Sequence, residues 1–201
     1  HLLSRRQRQM CIRDSYNETA GDKGIEVDMI SSLAGIEYFT GIKSLDIADN
    51  LFDTSDLEVD LTNCKKLVEV TAEDSGYGLA KVILGEKNEL KILNLGTCWD
   101  LADVDLGNCP NLEELTIGCD YIEEINLAPL TKLKKLDLNL AIESIDLSAN
   151  TELTALYLSG GLTTLDISRQ TKLTTLNCSG NKLSVVDISK MAFNADGTYT
   201  A

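Results

Sequence analysis

Side chains that perform acid–base and metal chemistry are scarce or badly placed in this chain. The one histidine is the first residue, His1, so Ser-His-Asp and Cys-His nucleophile arrangements cannot be assembled. Carboxylates are abundant, with 32 Asp and Glu against 18 Lys and Arg. Five of them, Asp60, Asp105, Asp146, Asp166 and Asp187, recur at one position of a periodic pattern, where Asp146, Asp166 and Asp187 would stack at intervals of about 4.8 Å. Such a column could offer calcium the oxygen ligands it prefers. Alternatively, each aspartate could bond backbone or hydroxyl groups two residues on, as in Asp146-Leu147-Ser148, Asp166-Ile167-Ser168 and Asp187-Ile188-Ser189. The glycine-rich nonapeptide of calcium β-rolls is absent, so a turn-holding role is expected, with no metal and no cofactor. The cysteines lack the paired short spacings of a disulfide or zinc framework.

The elements that position these residues emerge from the aliphatics. A unit LxxLxL recurs at Ile42/Leu45/Ile47, Leu67/Val70/Ala72, Leu90/Leu93/Leu95, Leu112/Leu115/Ile117, Leu133/Leu136/Leu138, Leu153/Leu156/Leu158 and Leu173/Leu176/Cys178, at intervals of 25, 23, 22, 21, 20 and 20 residues. A second unit alternates with it, from Leu79/Val82/Leu84 to Leu183/Val186/Ile188. Steady periodicity in the range of 20 to 29 residues predicts a leucine-rich repeat solenoid: about seven coils, mostly β within the α/β-type repeat class, with a parallel concave sheet and a largely extended convex side. Turn positions five residues after the second aliphatic fall on Asn50, Ser75, Cys98, Asp120, Ala141, Gly161 and Asn181, and Phe52 and Tyr77 fall on inward positions expected to be core. Counting along the coils puts Cys64 and Cys109 at equivalent corners two coils apart, near 10 Å and beyond disulfide reach. Cys98 and Cys119 share a corner on neighbouring coils, and the cysteines are expected to serve as small buried hydrophobes.

Residues 1–15 stand apart. Four of the five arginines lie there, and RRQRQMCIRDS (5–15) reverse-translates to a transposase-type sequencing adapter, so the segment is expected to be non-native and disordered. Setting it aside removes four arginines and one aspartate and moves the net charge from −14 to −17, which argues against nucleic acid and anionic membrane as partners. Residues 16–24 then read as a linker, 25–190 as the solenoid, and 191–201 as the start of a truncated β module or tail, since Asp196-Gly197 ahead of Tyr199 is a hairpin-turn signal. No apolar run approaches the length of a membrane span.

LTTLNCSGNKLSVVDISK (173–190), LTTLDISRQ (162–170), IESIDLSANTEL (142–153) and LAGIEYFTGIKSLDIADN (33–50) resemble the short-repeat leucine-rich proteins of the bacterial surface and secreted type. The resemblance implies an extracellular or cell-surface recognition module without a catalytic set, binding a protein or glycan ligand. A structural spacer displaying another domain, and an accessory binding domain of a larger enzyme, are the alternatives, since fold does not fix function. In coils five to seven the concave face should carry Asp137, Tyr157 and Asn177 in one row beside Asn139, Ser159 and Ser179, small polar groups around one tyrosine. Trp99 and Tyr121, six residues after Leu93 and Leu115, should sit together on a rim, as interface hot-spot residue types.

Overall fold

The computed structural model describes residues 9–11, 32–50, 56–75 and 77–189. The linker 16–24, the first residues of the expected solenoid, Phe52 and the Asp196-Gly197 turn lie outside them. Strands are numbered in chain order. An eight-stranded parallel sheet runs β1 (Gln9–Cys11), β2 (Ser44–Asp46), β4 (Glu69–Thr71), β6 (Ile92–Leu95), β8 (Glu114–Cys119), β9 (Lys135–Leu140), β10 (Ala155–Ser159) and β11 (Thr175–Asn177). A second parallel sheet holds β3 (Leu57–Asp60), β5 (Leu79–Ile83) and β7 (Asp103–Val104). Helical structure among the described residues is a single 3-10 turn, Ile36–Tyr38.

Each expected LxxLxL unit forms one strand of the long sheet, seven in all. Alternation decides the faces: Leu45, Val70, Leu93, Leu115, Leu136, Leu156 and Leu176 fall in register and point inward, while the residues between them point out. All are buried except Leu176 of the last coil, which is half-buried with no described coil beyond it. The same end leaves Val185 76% exposed and Ile188 36% exposed. Stacking therefore buries each coil's apolar floor, and inter-coil pairing satisfies its backbone.

At the opposite edge, Gln9–Cys11 pairs with Ser44–Asp46. The edge of β2 offers N–H and C=O groups to an extended segment, and Gln9–Cys11 takes that place.

Inward-turning side chains at two corners tie each coil's own turn or reach the preceding coil. After the long-sheet strands, Asn50 Nδ2 donates to Ile47 O and Ala48 O, Ser75 Oγ to Ala72 O, Cys98 Sγ to Ala72 O, and Asn181 Nδ2 to Leu158 O and Cys178 O. In the fourth and fifth coils the buried residues here are Cys119 and Leu140, while Asp120 and Ala141, expected at the turn, are exposed. Shortening the turn by one residue moves the inward position back by one. Tyr77 is likewise 71% exposed, not core, because Ser75 and Leu79 take the inward positions around it.

The other corner is a column three residues after the last aliphatic of the second side: Cys64, Lys87, Cys109, Leu130, Asn150 and Gln170, all fully or almost fully buried. Asn150 Nδ2 reaches back to Leu127 O (3.0 Å) and Leu130 O (2.9 Å), and Gln170 Nε2 to Leu147 O (2.7 Å). Lys87 Nζ donates to Leu61 O (2.9 Å) and Leu84 O. Its burial between Cys64 and Cys109 lowers its pKa. Lys87 is therefore the occupant of the coil between the two cysteine corners.

Candidate functional site

The aspartate column is held by its own turns. Asp60 Oδ1 accepts from Thr62 N (2.8 Å), Asp105 from Gly107 N (2.9 Å), Asp146 from Ser148 N (2.8 Å), Asp166 from Ser168 N (2.9 Å) and Asp187 from Ser189 N (2.9 Å). These bonds, with the Thr62 and serine hydroxyls, lower the pKa values of Asp60, Asp146 and Asp166. Cys64, Cys98, Cys109, Cys119 and Cys178 are free thiols. Burial pushes Cys98 up to about 12 and Cys109 to about 11, and raises Cys64 and Cys119, so these sulfurs are poor nucleophiles.

On the outward face of the long sheet, strand register sets the candidate residues in rows. Tyr157 is the Cα partner of Asp137 on one side and Asn177 on the other, and Ser159 is the partner of Asn139. Ser159 Oγ donates to Asn139 Oδ1 at 3.1 Å, while Asn177 Oδ1 accepts from Ser179 N at 3.0 Å, fixing Asn177 and Ser179 as one turn. The row of Asp137 continues through Thr116, Asn94, Thr71 and Asp46. Asp137 and Tyr157 are half-buried. Burial raises the Asp137 carboxyl above its ordinary range, with Lys135 opposing and Glu73 adding to the shift.

Charge is paired off along the edge where the strands begin. Glu113 bridges Lys91 (3.0 Å) and Lys134 (2.6 Å), Glu152 binds Lys172 (2.6 Å), and Glu89 binds Lys66 (2.5 Å). Hydrogen bonds from Lys134 and Lys91 draw the Glu113 carboxyl down to about 2. The middle rows of coils five to seven are left mostly uncharged and rich in hydroxyl and amide groups.

Trp99 and Tyr121 follow β6 and β8, with Asp120 N donating to Trp99 O across the coils (3.4 Å). Trp99 is half-buried and Tyr121 is 63% exposed. Tyr121 also lines a groove of about 360 Å³ on the second side, between Ala102–Gly107 and Tyr121–Asn126, where the three-stranded sheet ends at β7. Rim and face are thus two separate groups of residues. Tyr77 joins the rim aromatics. Its signal was present, since Tyr77 and Trp99 each stand two residues before the first aliphatic of the second side, Leu79 and Leu101.

No protein-family model and no curated protein matches the chain. Solved structures do. The functional domain of InlJ from Listeria monocytogenes, described as including a cysteine ladder, is 27% identical with a TM-score of 0.67, covering 81% of this chain and 40% of that one. A leucine-rich repeat protein of Leptospira interrogans is 23% identical with a TM-score of 0.59 over 74% of this chain and 40% of its own. Internalin C2 of Listeria monocytogenes is 23% identical with a TM-score of 0.55 over 81% of this chain and 71% of its own. The chain spans two fifths of the length of the first two.

Proposed function

We propose that this chain, a leucine-rich repeat solenoid of the bacterial type, is a non-enzymatic recognition module of a cell-surface or secreted protein. It binds a protein or glycan ligand through the outward face of the long sheet and the Trp99/Tyr121 rim. The observation that carries the reading is the in-register row Asp137, Tyr157, Asn177 beside Asn139 and Ser159, exposed or half-exposed donors and acceptors around one aromatic ring. A solenoid spreads such rows over several coils, the usual way repeat proteins build binding surfaces. The likeness to InlJ, 27% identical over 81% of this chain, supports a leucine-rich repeat module of the bacterial type. Among the described residues no helix is long and apolar enough to cross a membrane.

Val185 and Ile188, exposed on the last described coil, favour a second reading in which the solenoid also acts as a spacer, carrying further chain against that end.

Protein and glycan arrays probed with the wild type, with Asp137→Ala/Tyr157→Ala and with Trp99→Ala/Tyr121→Ala test the proposal. Specific ligands should be retained by the wild type and weakened about thirtyfold or more by the double variants, the effect of truncating buried interface anchors. Ligands held equally by all three folded proteins would overturn it.

A further inference from the structure

The row that carries Asp137 contains one anomaly. Asp46, Asn94 and Asn177 occupy the same register position, and each closes a turn by accepting from the backbone N–H two residues on: Ala48, Gly96 and Ser179. Asp137 does not, because β9 continues as strand to Leu140 and Asn139 is a paired residue of the ladder. Its carboxylate is half-buried and accepts no hydrogen bond from any described residue. Lys135, on the same strand, points to the same face but stands two residues away, about 6.8 Å, and forms no ion pair with it. Glu73 adds negative potential from across the face. A desolvated carboxylate left without a donor costs free energy that a ligand donor can offset.

Tyr157 is the Cα partner of Asp137, so the two side chains leave the same face from backbones one strand spacing, about 4.8 Å, apart. A carboxylate beside an aromatic face suits a planar cation, which can donate two hydrogen bonds to the oxygens while lying against the ring. Of the cations near the strand starts, Lys91 and Lys134 are engaged with Glu113 and Lys172 with Glu152, while Lys135 faces this row and lowers the Asp137 pKa only from a distance. The chain's net charge of −14 draws cationic partners toward it at long range.

We infer that Asp137 and Tyr157 form a clasp for a basic side chain, an arginine above all, presented by a protein ligand. This rests on the proposed use of the outward face for recognition and names the chemistry at its centre. Thr116 and Asn177, flanking in the same row, supply polar contacts to the peptide around that side chain.

Residue-resolved NMR of the full chain, titrated with N-acetylarginine amide, its neutral citrulline counterpart and a methyl hexoside, tests the inference. Arginine amide should shift the resonances of Thr116, Asp137, Tyr157 and Asn177 together, and raised salt should weaken the effect. The citrulline compound should bind at least about tenfold more weakly, because it keeps the shape and loses the charge. Asp137→Asn should cost about tenfold or more in arginine affinity with the fold intact. Tyr157→Leu should weaken binding while Tyr157→Phe retains it, since the ring face and not the hydroxyl meets the cation. Shifts scattered over the acidic surface and unchanged by Asp137→Asn would overturn the clasp. Binding of the hexoside at this row with no preference for arginine would also overturn it, while leaving recognition by this face standing. Perturbation by every probe only at the groove between Ala102–Gly107 and Tyr121–Asn126 would overturn both.

Discussion

Replacing Asn150 by aspartate tests whether the corner column fastens coil to coil. Asn150 is fully buried, and its Nδ2 donates to Leu127 O and Leu130 O of the preceding coil, while its Oδ1 has no partner. Both carbonyls also accept a backbone N–H, from Leu130 and Leu133, so losing the amide removes one of two bonds at each. Two such bonds contribute about 2 kcal/mol. Aspartate adds a charge that faces two carbonyl oxygens and has no counterion, which brings the expected loss to roughly 3 to 5 kcal/mol. Asn150→Leu is the control, because Leu130 fills the same position one coil earlier, and it should cost no more than about 2 kcal/mol. Desolvation raises the folded-state pKa of the introduced aspartate, so its damage is greatest at neutral pH and eases as pH falls toward the ordinary carboxylate range. Urea denaturation of the wild type and both variants at neutral and mildly acidic pH measures all of this. Equal stability of Asn150→Asp and Asn150→Leu at neutral pH would refute the reasoning.

Three further outcomes are expected. Gly160 has φ +130° and a Cβ there would lie 2.0 Å from Leu140 O, so Gly160→Ala should lower stability by about 3 kcal/mol or more, read as a fall in Tm. Glu113 should titrate in carboxylate-detected NMR near a pKa of about 2, so any stability from its lysine pairs is present above pH 4.5 and lost as pH falls through about 2. Both lysines replaced by methionine should restore an ordinary midpoint. Burial depresses the folded pKa of Lys87, so its neutral form's contribution is complete above pH 10.5 and is lost as pH falls toward the folded value, and Lys87→Met should remove that slope from urea melts below pH 10.5.

Seven of the eight long-sheet strands, all but β1, were legible from leucine spacing, because an inward aliphatic every second residue is enforced by the pleat and repeated by the stacking. The second side was less so. Its aliphatic units are evenly spaced, yet among the described residues only β3, β5 and β7 pair as a sheet, because inter-coil backbone pairing depends on turn lengths that leucine spacing does not encode. Counting forward from the strands also misplaced the inward residues at Cys119 and Leu140, where a shorter turn breaks the count. The column through Lys87, Asn150 and Gln170 did have a signal, one residue three positions after the last aliphatic of each second side. Its chemistry varies from thiol to ammonium to amide, which hides a common role of filling a corner and, in the polar members, donating to carbonyls. Residues of the outward face could be placed in rows from spacing alone, but the isolation of the Asp137 carboxylate depends on β9 running three residues past it, a length visible only in the fold.

Side-chain footprinting of the protein with and without an array ligand tests recognition by this face most directly, with carbodiimide labelling the carboxylates and hydroxyl radicals the aromatic rings. Asp137 and Tyr157 should be protected together with Trp99 or Tyr121, while Glu123 and Glu124 on the second side label as in the free protein. Protection confined to Glu123, Glu124 or the exposed Val185–Ile188 end, with Asp137 and Tyr157 labelled as before, would contradict it.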